Sequence, residues 1–334
     1  MSYDIQKTCL EKCVFICDGR DNVGAGHYRR CSELASYMRT KSIQIFFVED
    51  YLSVSSKQYL KAMNFMFINY SMVLEMLDSF QFVVFDHYYL SADTHKLLKT
   101  DKNRIIVIDD HIERNYNCDV LINSTFGADK KKFKTMENPS MLNLLGTKYS
   151  FLNKEYIDGQ AEAKRKKENF FVKNVHLFFG SNDQSEFVFS FLKTVLIKHK
   201  KLKFHLIISR NYKFLPEFME LERENQNFVC YVDVDKMFTS LLLCDIAVGA
   251  PGITTAERGC LGLPSLYCAV NKNQIEILRQ MDKYGLAKYS GFIEHLEPVE
   301  FADSFFDFIN DQKKLVLMKK KSMETFDGFG IPRI

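Results

Sequence analysis

The amino-acid sequence predicts an α/β protein of two Rossmann-like domains, each built on a parallel sheet, and two observations lead there. Short continuous apolar runs recur, each followed by a polar or glycine-containing turn and then a helical pattern. Runs rich in β-branched and aromatic residues are what strands covered on both faces require. The pattern also restarts in mid-chain, and 334 residues exceed the roughly 100–200 of one average domain. With 46% hydrophobic and 26% charged residues, the composition is that of an ordinary globular chain, which excludes collagen-like, disordered and disulfide-scaffold classes.

In the first half the runs are Cys13–Cys17, Ile43–Val48, Phe82–Phe85 and Arg104–Ile108, a βαβα order. In the second they are Val175–Phe179, Phe204–Ile208, Phe228–Val232, Ile246–Val248 and Ser265–Cys268. Between the halves, Gln160–Asn174 contains Ala163-Lys164-Arg165-Lys166-Lys167-Glu168 and has no apolar period. Such a charge run reads as a solvated helix end or linker, and it sets the expected domains at 1–160 and 161–334. From Phe301 onward, Phe305, Phe306, Phe308, Ile309, Leu315 and Leu317 mark a helical tail, expected to pack back across the first domain. Two halves facing an interdomain cleft is the expected architecture.

Lys and Arg number 45 against 42 Asp and Glu, a formal charge of +3, too small a field to hold nucleic acid or an anionic membrane. Met1–Lys7 lacks the apolar core of a signal peptide, and no run approaches the ~18 apolar residues of a membrane span, so a cytoplasmic location is expected. The nine cysteines are odd in number, scattered and mostly inside apolar runs, the pattern of reduced, buried thiols. Cys9, Cys13 and Cys17 recur every four residues, but Cys17 falls in a strand, so the three do not share a helix face; no metal site and no cofactor are expected.

Three loops stand at strand-to-helix turns. The first is Asp18-Gly19-Arg20-Asp21-Asn22-Val23-Gly24-Ala25-Gly26-His27-Tyr28-Arg29-Arg30-Cys31. Its glycines allow a sharp turn at the carboxyl end of a strand and leave a helix N-terminus open to an anion. The spacing is not G-x-G-x-x-G, so no dinucleotide fingerprint is present. His27 at its lip carries an imidazole whose ordinary pKa of about 6.5 suits a general base, with a turn residue as the alternative. The second loop, Gly180-Ser181-Asn182-Asp183, could place N–H groups on a phosphate, or Asn182 or Asp183 could simply cap the helix. The third runs from Gly249 to Pro264. Gly252, Thr254 and Thr255 at a helix start suit a diphosphate, and Glu257, expected in the first turn, could accept ribose hydroxyls or merely complement the helix dipole. A nucleotide-sugar cleft explains three such loops together better than three independent caps.

At these residues the chain resembles a known family. Gly24-Ala25-Gly26-His27-Tyr28-Arg29-Arg30-Cys31, Phe85-Asp86-His87-Tyr88, Ile108-Asp109-Asp110, Cys118-Asp119-Val120-Leu121-Ile122-Asn123, Leu145-Gly146-Thr147-Lys148-Tyr149-Ser150-Phe151-Leu152 and the Gly252–Pro264 loop are similar in order and wording to the PseG-type UDP-sugar hydrolases of pseudaminic acid biosynthesis. That resemblance implies a GT-B fold related to the MurG glycosyltransferase. It also implies metal-independent hydrolysis of UDP-2,4-diacetamido-2,4,6-trideoxy-β-L-altropyranose to UDP and the free sugar, with inversion at the anomeric carbon, supplying flagellin and other cell-surface glycans. His27 matches the family's catalytic histidine and Tyr88 the tyrosine that lines the sugar or water site. Gly24, Gly26, Arg30, Gly180, Ser181, Gly252, Thr254, Thr255, Glu257, Asn273 and Gln274 are the expected substrate-binding residues, with a core tyrosine and an N-cap as the alternatives for Tyr88 and for the Asn273–Gln274 pair. The chain departs from the family pattern at Ser181, Pro251, Ile253 and Tyr89, where the family tends to have glycine, a small residue, a serine-like residue and glycine. The partner expected is a UDP-sugar alone, acted on by a monomer. Two other readings are a GT-B glycosyltransferase, in which an acceptor replaces water, and an inactive nucleotide-sugar-binding protein.

Overall fold

The computed structural model describes residues 10–21, 23–110, 114–128, 140–165, 171–180, 182–234 and 236–334. They fall into two compact units, Met1–Tyr149 with Ile331–Ile334, and Ser150–Gly330. The sequence places the boundary near residue 160, eleven residues later. The difference lies in the helix Lys154–Arg165, whose basic end looked like a linker: Tyr156, Gln160 and Ala163 on it are buried. The Gln160 amide donates to the backbone carbonyls of Met323 and Phe326, both at 3.3 Å, so the helix belongs to the second unit.

The N-terminal unit contains β1 (Lys12–Cys17), α1 (Gly26–Thr40), β2 (Gln44–Val48), α2 (Val54–Ala62), β3 (Met66–Ile68), α3 (Tyr70–Glu75), β4 (Phe82–Asp86), α4 (Ala92–Leu97), β5 (Arg104–Ile108), β6 (Val120–Asn123) and β7 (Leu142–Leu145). Its seven strands pair in parallel in the order β3-β2-β1-β4-β5-β6-β7. Val14, Ile16, Val83, Phe85, Ile105, Val107 and Leu121 form part of its buried core. The C-terminal unit contains α5 (Lys154–Arg165), β8 (Asn174–Phe178), α6 (Ser185–Lys198), β9 (Lys203–Ile208), α7 (Leu215–Glu224), β10 (Phe228–Val232), α8 (Met237–Leu243), β11 (Ile246–Gly249), α9 (Ile253–Cys260), β12 (Ser265–Ala269), α10 (Lys272–Tyr284), β13 (Lys288–Phe292), α11 (Pro298–Asn310) and α12 (Gln312–Thr325). Its six parallel strands run β10-β9-β8-β11-β12-β13. All nine strand runs read from the sequence are strands here; β3, β6, β7 and β13 are additional.

The helical tail read from the sequence groups with the C-terminal unit as far as Gly330. Phe301, Phe305 and Phe308 recur on one face of α11 and join Phe191, Val195 and Phe204 in the C-terminal core, where Leu315 and Met318 of α12 also lie. That stripe is satisfied inside its own unit, and only the last four residues group with the N-terminal one.

In each sheet the strand order reverses once, between β1 and β4 and between β8 and β11. The crevice outside the carboxyl ends of the strands at such a reversal is where open α/β sheets place their ligands. All three loops singled out in the sequence stand at these points. Gly249 closes one of them: its φ is +139°, and a Cβ there would lie 1.9 Å from the Phe178 carbonyl oxygen. Replacing Gly249 with Ala is therefore expected to cost about 3 kcal/mol or more of stability, read as a lower urea midpoint; an unchanged midpoint would contradict this packing.

Candidate functional site in the N-terminal unit and the loops of the C-terminal unit

Three neighbouring strands of the N-terminal sheet each end in aspartate: Cys17-Asp18, Phe85-Asp86 and Ile108-Asp109-Asp110. Parallel alignment of β1, β4 and β5 puts these carboxylates along one edge, beside the start of α1. Each needs a counter-charge, because Asp18 and Asp86 are fully buried and Asp109 nearly so and an unpaired buried carboxylate is costly. Arg20 grips Asp18 with Nε and Nη2, at 2.9 and 2.6 Å. Arg114 donates to Asp109 at 2.7 Å. Arg30 reaches two carboxylates, donating to Asp86 through Nε and Nη2, both 2.6 Å, and to Asp110 through Nη1, also 2.6 Å.

His27 belongs to this network. Its Nδ1 lies 2.5 Å from Asp86 Oδ1, and its ring meets that of Tyr88 edge-on at 4.4 Å between centroids. Burial alone would raise the Asp86 carboxyl, but Arg30 and then His27 hold it well below the ordinary carboxylate range. A carboxylate can only accept, so Nδ1 is the donor of this pair, and among the described residues Nε2 has no hydrogen-bond partner. Burial, then the Asp110 charge, pushes the Tyr88 phenol upward, so Tyr88 keeps its hydroxyl proton as a donor.

The helix start that carries His27 is built to face an anion. Gly24 has a left-handed φ of +87°, and the N-cap Ala25 supplies no side-chain acceptor. The first turn of α1 contains no acidic residue, while His27 and Arg29 sit there, the opposite of what the helix dipole favours.

A second histidine, His87, faces Asp18. Its Nδ1 accepts from the Tyr89 amide at 3.1 Å, which places its proton on Nε2, 3.6 Å from Asp18 Oδ2. Burial lowers its pKa to about 4, against the opposing pull of Asp18.

In the loops of the C-terminal unit several of the expected residues bond helix starts. Gly180 has φ +96° with open space where a Cβ would be. Asp183 accepts from the Ser185 amide at 2.9 Å and the Lys213 amide at 3.3 Å, so of the two residues offered as a cap, Asp183 makes those bonds. Ser181 lies outside the described residues. Gly252 is the N-cap of α9; its amide donates to Thr255 Oγ1 at 3.0 Å and the Thr255 amide returns a bond to the Gly252 carbonyl, also at 3.0 Å. Thr254 is buried behind it. Glu257 is the fifth residue of α9 and lies beyond the first turn, which holds no acid; the helix begins only at Ile253, because Gly252 has already turned out of it.

Gln274 follows its N-cap alternative. Its Oε1 accepts from Val270 and Asn271 at 2.8 and 3.2 Å, and its Nε2 donates to the Pro251 carbonyl at 3.4 Å, while Asn273 is exposed. Arg30 likewise departs from its expected ligand role: its guanidinium is buried against two carboxylates, so it holds Asp86 and Asp110. Tyr89, a departure from the family pattern, is 71% exposed under the Arg20 guanidinium, 5.1 Å from its ring centroid. Residue-level reading assigned no role to Asp18, Asp86, Asp110, His87 or Arg258. The signal for the carboxylates was present as the repeated ending of an apolar run in aspartate.

With fold and geometry in hand, comparisons with known proteins can be placed. The chain adopts the GT-B fold. It superposes on MurG of Acinetobacter baumannii with a TM-score of 0.66 at 10% identity, covering 97% of each chain. It superposes on a UDP-GlcNAc 2-epimerase of Neisseria meningitidis bound to UDP-GlcNAc with a TM-score of 0.65 at 12% identity, covering 96% of this chain and 98% of the other. No protein-family model matches the chain. In sequence it is 24% identical over 277 residues to an uncharacterized protein of Methanocaldococcus jannaschii (79% of this chain, 57% of that protein). It is 24% identical over 164 residues to the UDP-2,4-diacetamido-2,4,6-trideoxy-β-L-altropyranose hydrolase of Campylobacter jejuni (48% and 59%). A third relative is a Helicobacter pylori protein named as a pseudaminic acid cytidylyltransferase and that same hydrolase, 23% identical over 278 residues (82% and 47%). The chain thus spans about half the length of the curated relatives it matches.

The buried histidines carry a pH signature. His87 and His95 both have pKa values lowered to about 4, by burial first, and His176 lies well below its ordinary value for the same reason. Between pH about 6.5 and about 4 the unfolded chain takes up protons that the native state refuses, so stability falls as pH falls through that window. His95, on α4 against Phe85 at 4.6 Å, is outside the charged network. His95→Leu should flatten the pH dependence of the unfolding free energy there by up to about 1.4 kcal/mol per pH unit; an unaltered slope would show that His95 titrates normally in the fold.

Proposed function

We propose that the chain is a metal-independent hydrolase of a UDP-linked 2,4-diacetamido-2,4,6-trideoxy sugar, the β-L-altropyranose compound being the first candidate, and that it works with His27 as general base. The observation that carries this reading is the His27–Asp86 pair at the sheet reversal, with Nδ1 bound and Nε2 free. The distant relationship to two proteins named as that hydrolase supports the substrate class.

In this reading Nε2 removes a proton from water as its oxygen attacks the anomeric carbon. The bond from that carbon to the diphosphate oxygen breaks, and the configuration inverts. Asp86 holds the imidazole in the required tautomer and stabilises the imidazolium as it forms. Arg30 keeps Asp86 ionised and fixed, and the Tyr88 hydroxyl is a donor to the sugar or the water. The N-terminus of α1 stabilises charge growing on the leaving group. The C-terminal unit holds the nucleoside diphosphate through Gly180, Ser181, Gly252, Thr254 and the start of α9, with Glu257 accepting from the ribose. The domains proposed for these roles are the N-terminal catalytic one and the C-terminal UDP-binding one, and the protein acts as a soluble monomer.

The decisive experiment follows free UDP and the anomeric carbon by NMR while the purified protein is incubated, without metal or acceptor, with a panel of UDP-sugars. UDP release with inversion from the diacetamido-trideoxy compound is expected; no release unless an acceptor is added would replace this reading with a glycosyltransferase. His27→Ala should lower turnover about 10²–10⁴-fold with UDP affinity within about threefold of wild type. Asp86→Asn should lower turnover similarly and also destabilise the fold by about 3–5 kcal/mol, since the buried Arg30 guanidinium loses a counter-charge. Full turnover by the His27 variant would remove it from the mechanism.

A further inference from the structure

Arg258 is fully buried (0% exposed), yet among the described residues no carboxylate pairs with it. Its Nη1 donates to the Ala250 carbonyl at 3.3 Å and its Nη2 to the Phe178 carbonyl at 3.2 Å, both long for such bonds. The guanidinium carbon is 5.3 Å from the Tyr267 ring centroid, and Nε has no acceptor. The adjacent buried imidazole of His176 adds no compensation: neither ring nitrogen has a partner, and burial followed by the Arg258 charge keeps it neutral. The contrast with the N-terminal unit is direct, since there the buried arginine among the described residues, Arg30, faces two aspartates.

The place of this charge matters. Arg258 is the sixth residue of α9, but helical side chains lean toward the N-terminus, and its guanidinium bonds the carbonyl of Ala250, two residues ahead of the N-cap Gly252. The cation therefore lies at the positive end of the helix dipole, where no acid stands in the first turn. The two carbonyls it holds belong to the ends of β8 and β11, the strands on either side of the sheet reversal. A buried cation bonded to the loop just ahead of α9, a helix N-terminus and open space at the Cβ position of Gly252 are the features that favour an anion.

We propose that Arg258 is the positioning residue of a phosphate-anion site at the start of α9, bracing the two loop carbonyls across the sheet reversal and supplying a buried charge that the bound anion compensates. The identity of that anion as the diphosphate of a UDP-sugar rests on the function proposed above; the anion site itself does not. A residue that only filled the core would act on stability, whereas a charge awaiting a counter-ion acts on affinity.

The test measures UDP and inorganic pyrophosphate binding by calorimetry and thermal unfolding for wild type, Arg258→Met and Arg258→Lys. Arg258→Met is expected to unfold at or above the wild-type temperature without ligand and to bind both anions at least tenfold more weakly. Arg258→Lys, which keeps the charge, is expected to stay within about threefold. A Met variant with wild-type affinity, or one that unfolds far below wild type while its Lys counterpart binds no better than it does, overturns the proposal. Should the Met variant not fold, loss of both anions by Arg258→Lys overturns it, and retained binding with a reduced gain in thermal stability supports it. Wild-type protein that binds pyrophosphate but not UDP leaves this site standing and removes the uridine-nucleotide reading; wild type that binds neither removes both.

Discussion

One buried carboxylate organises the N-terminal unit. Asp86 ends β4 with no exposed surface, and it survives as an anion only because His27 and the fork of Arg30 close on it at 2.5–2.6 Å. Those bonds in turn fix the start of α1, orient the imidazole and leave its outer nitrogen unbound. Arg30 continues to Asp110, so the ends of β4 and β5 are tied through a side chain rooted in α1. Removing the carboxylate would take a buried counter-charge from Arg30 and leave the His27 Nδ1–H without its acceptor in a low-dielectric environment, which is why geometry and local stability cannot be separated here.

The two units share an architecture and solve the charge problem in opposite ways. Each has a parallel sheet with one reversal in strand order, a glycine loop and a helix whose N-terminus stands at that reversal. In the N-terminal unit Arg20, Arg30 and Arg114 are matched by aspartates at the strand ends, giving a network of paired charges. In the C-terminal unit Arg258 has two carbonyls and an aromatic face, and no carboxylate pairs with it among the described residues. A complete network suits a group that must hold one tautomer in place; an incomplete one suits a site completed by an anionic ligand.

Much of the fold was legible from local pattern. The nine apolar runs all became strands, since a strand covered on both faces cannot avoid being apolar throughout. Three of the four missed strands have local reasons. Met66–Ile68 is three residues long, Leu142–Leu145 is interrupted by Asn143, and Lys288–Phe292 carries Ser and Gly on the sheet's edge. None of these has the continuous apolar signal of a central strand. The basic stretch after Gln160 reads as a helix end or linker, and its first charges, Lys164 and Arg165, end a helix whose other face is buried, while Lys166–Glu168 lie outside the described residues. The expected ligand residues divided by geometry: Thr255 and Gln274 turned out to bond helix starts, and Arg30 to face inward.

By itself the sequence determined the alternation of strands and helices, the two sheets, and the glycine turns at their carboxyl ends, because these follow from backbone sterics and from burial along contiguous residues. Only the tertiary structure decided which side chains meet. His27 and Asp86 are 59 positions apart and Arg30 and Asp110 are 80 apart, and their contact depends on β4 lying next to β1, an order of strands that no local periodicity records. The same holds for Arg258, whose identity as an arginine is visible in the chain but whose burial without a counter-charge is a property of the packed sheet around it.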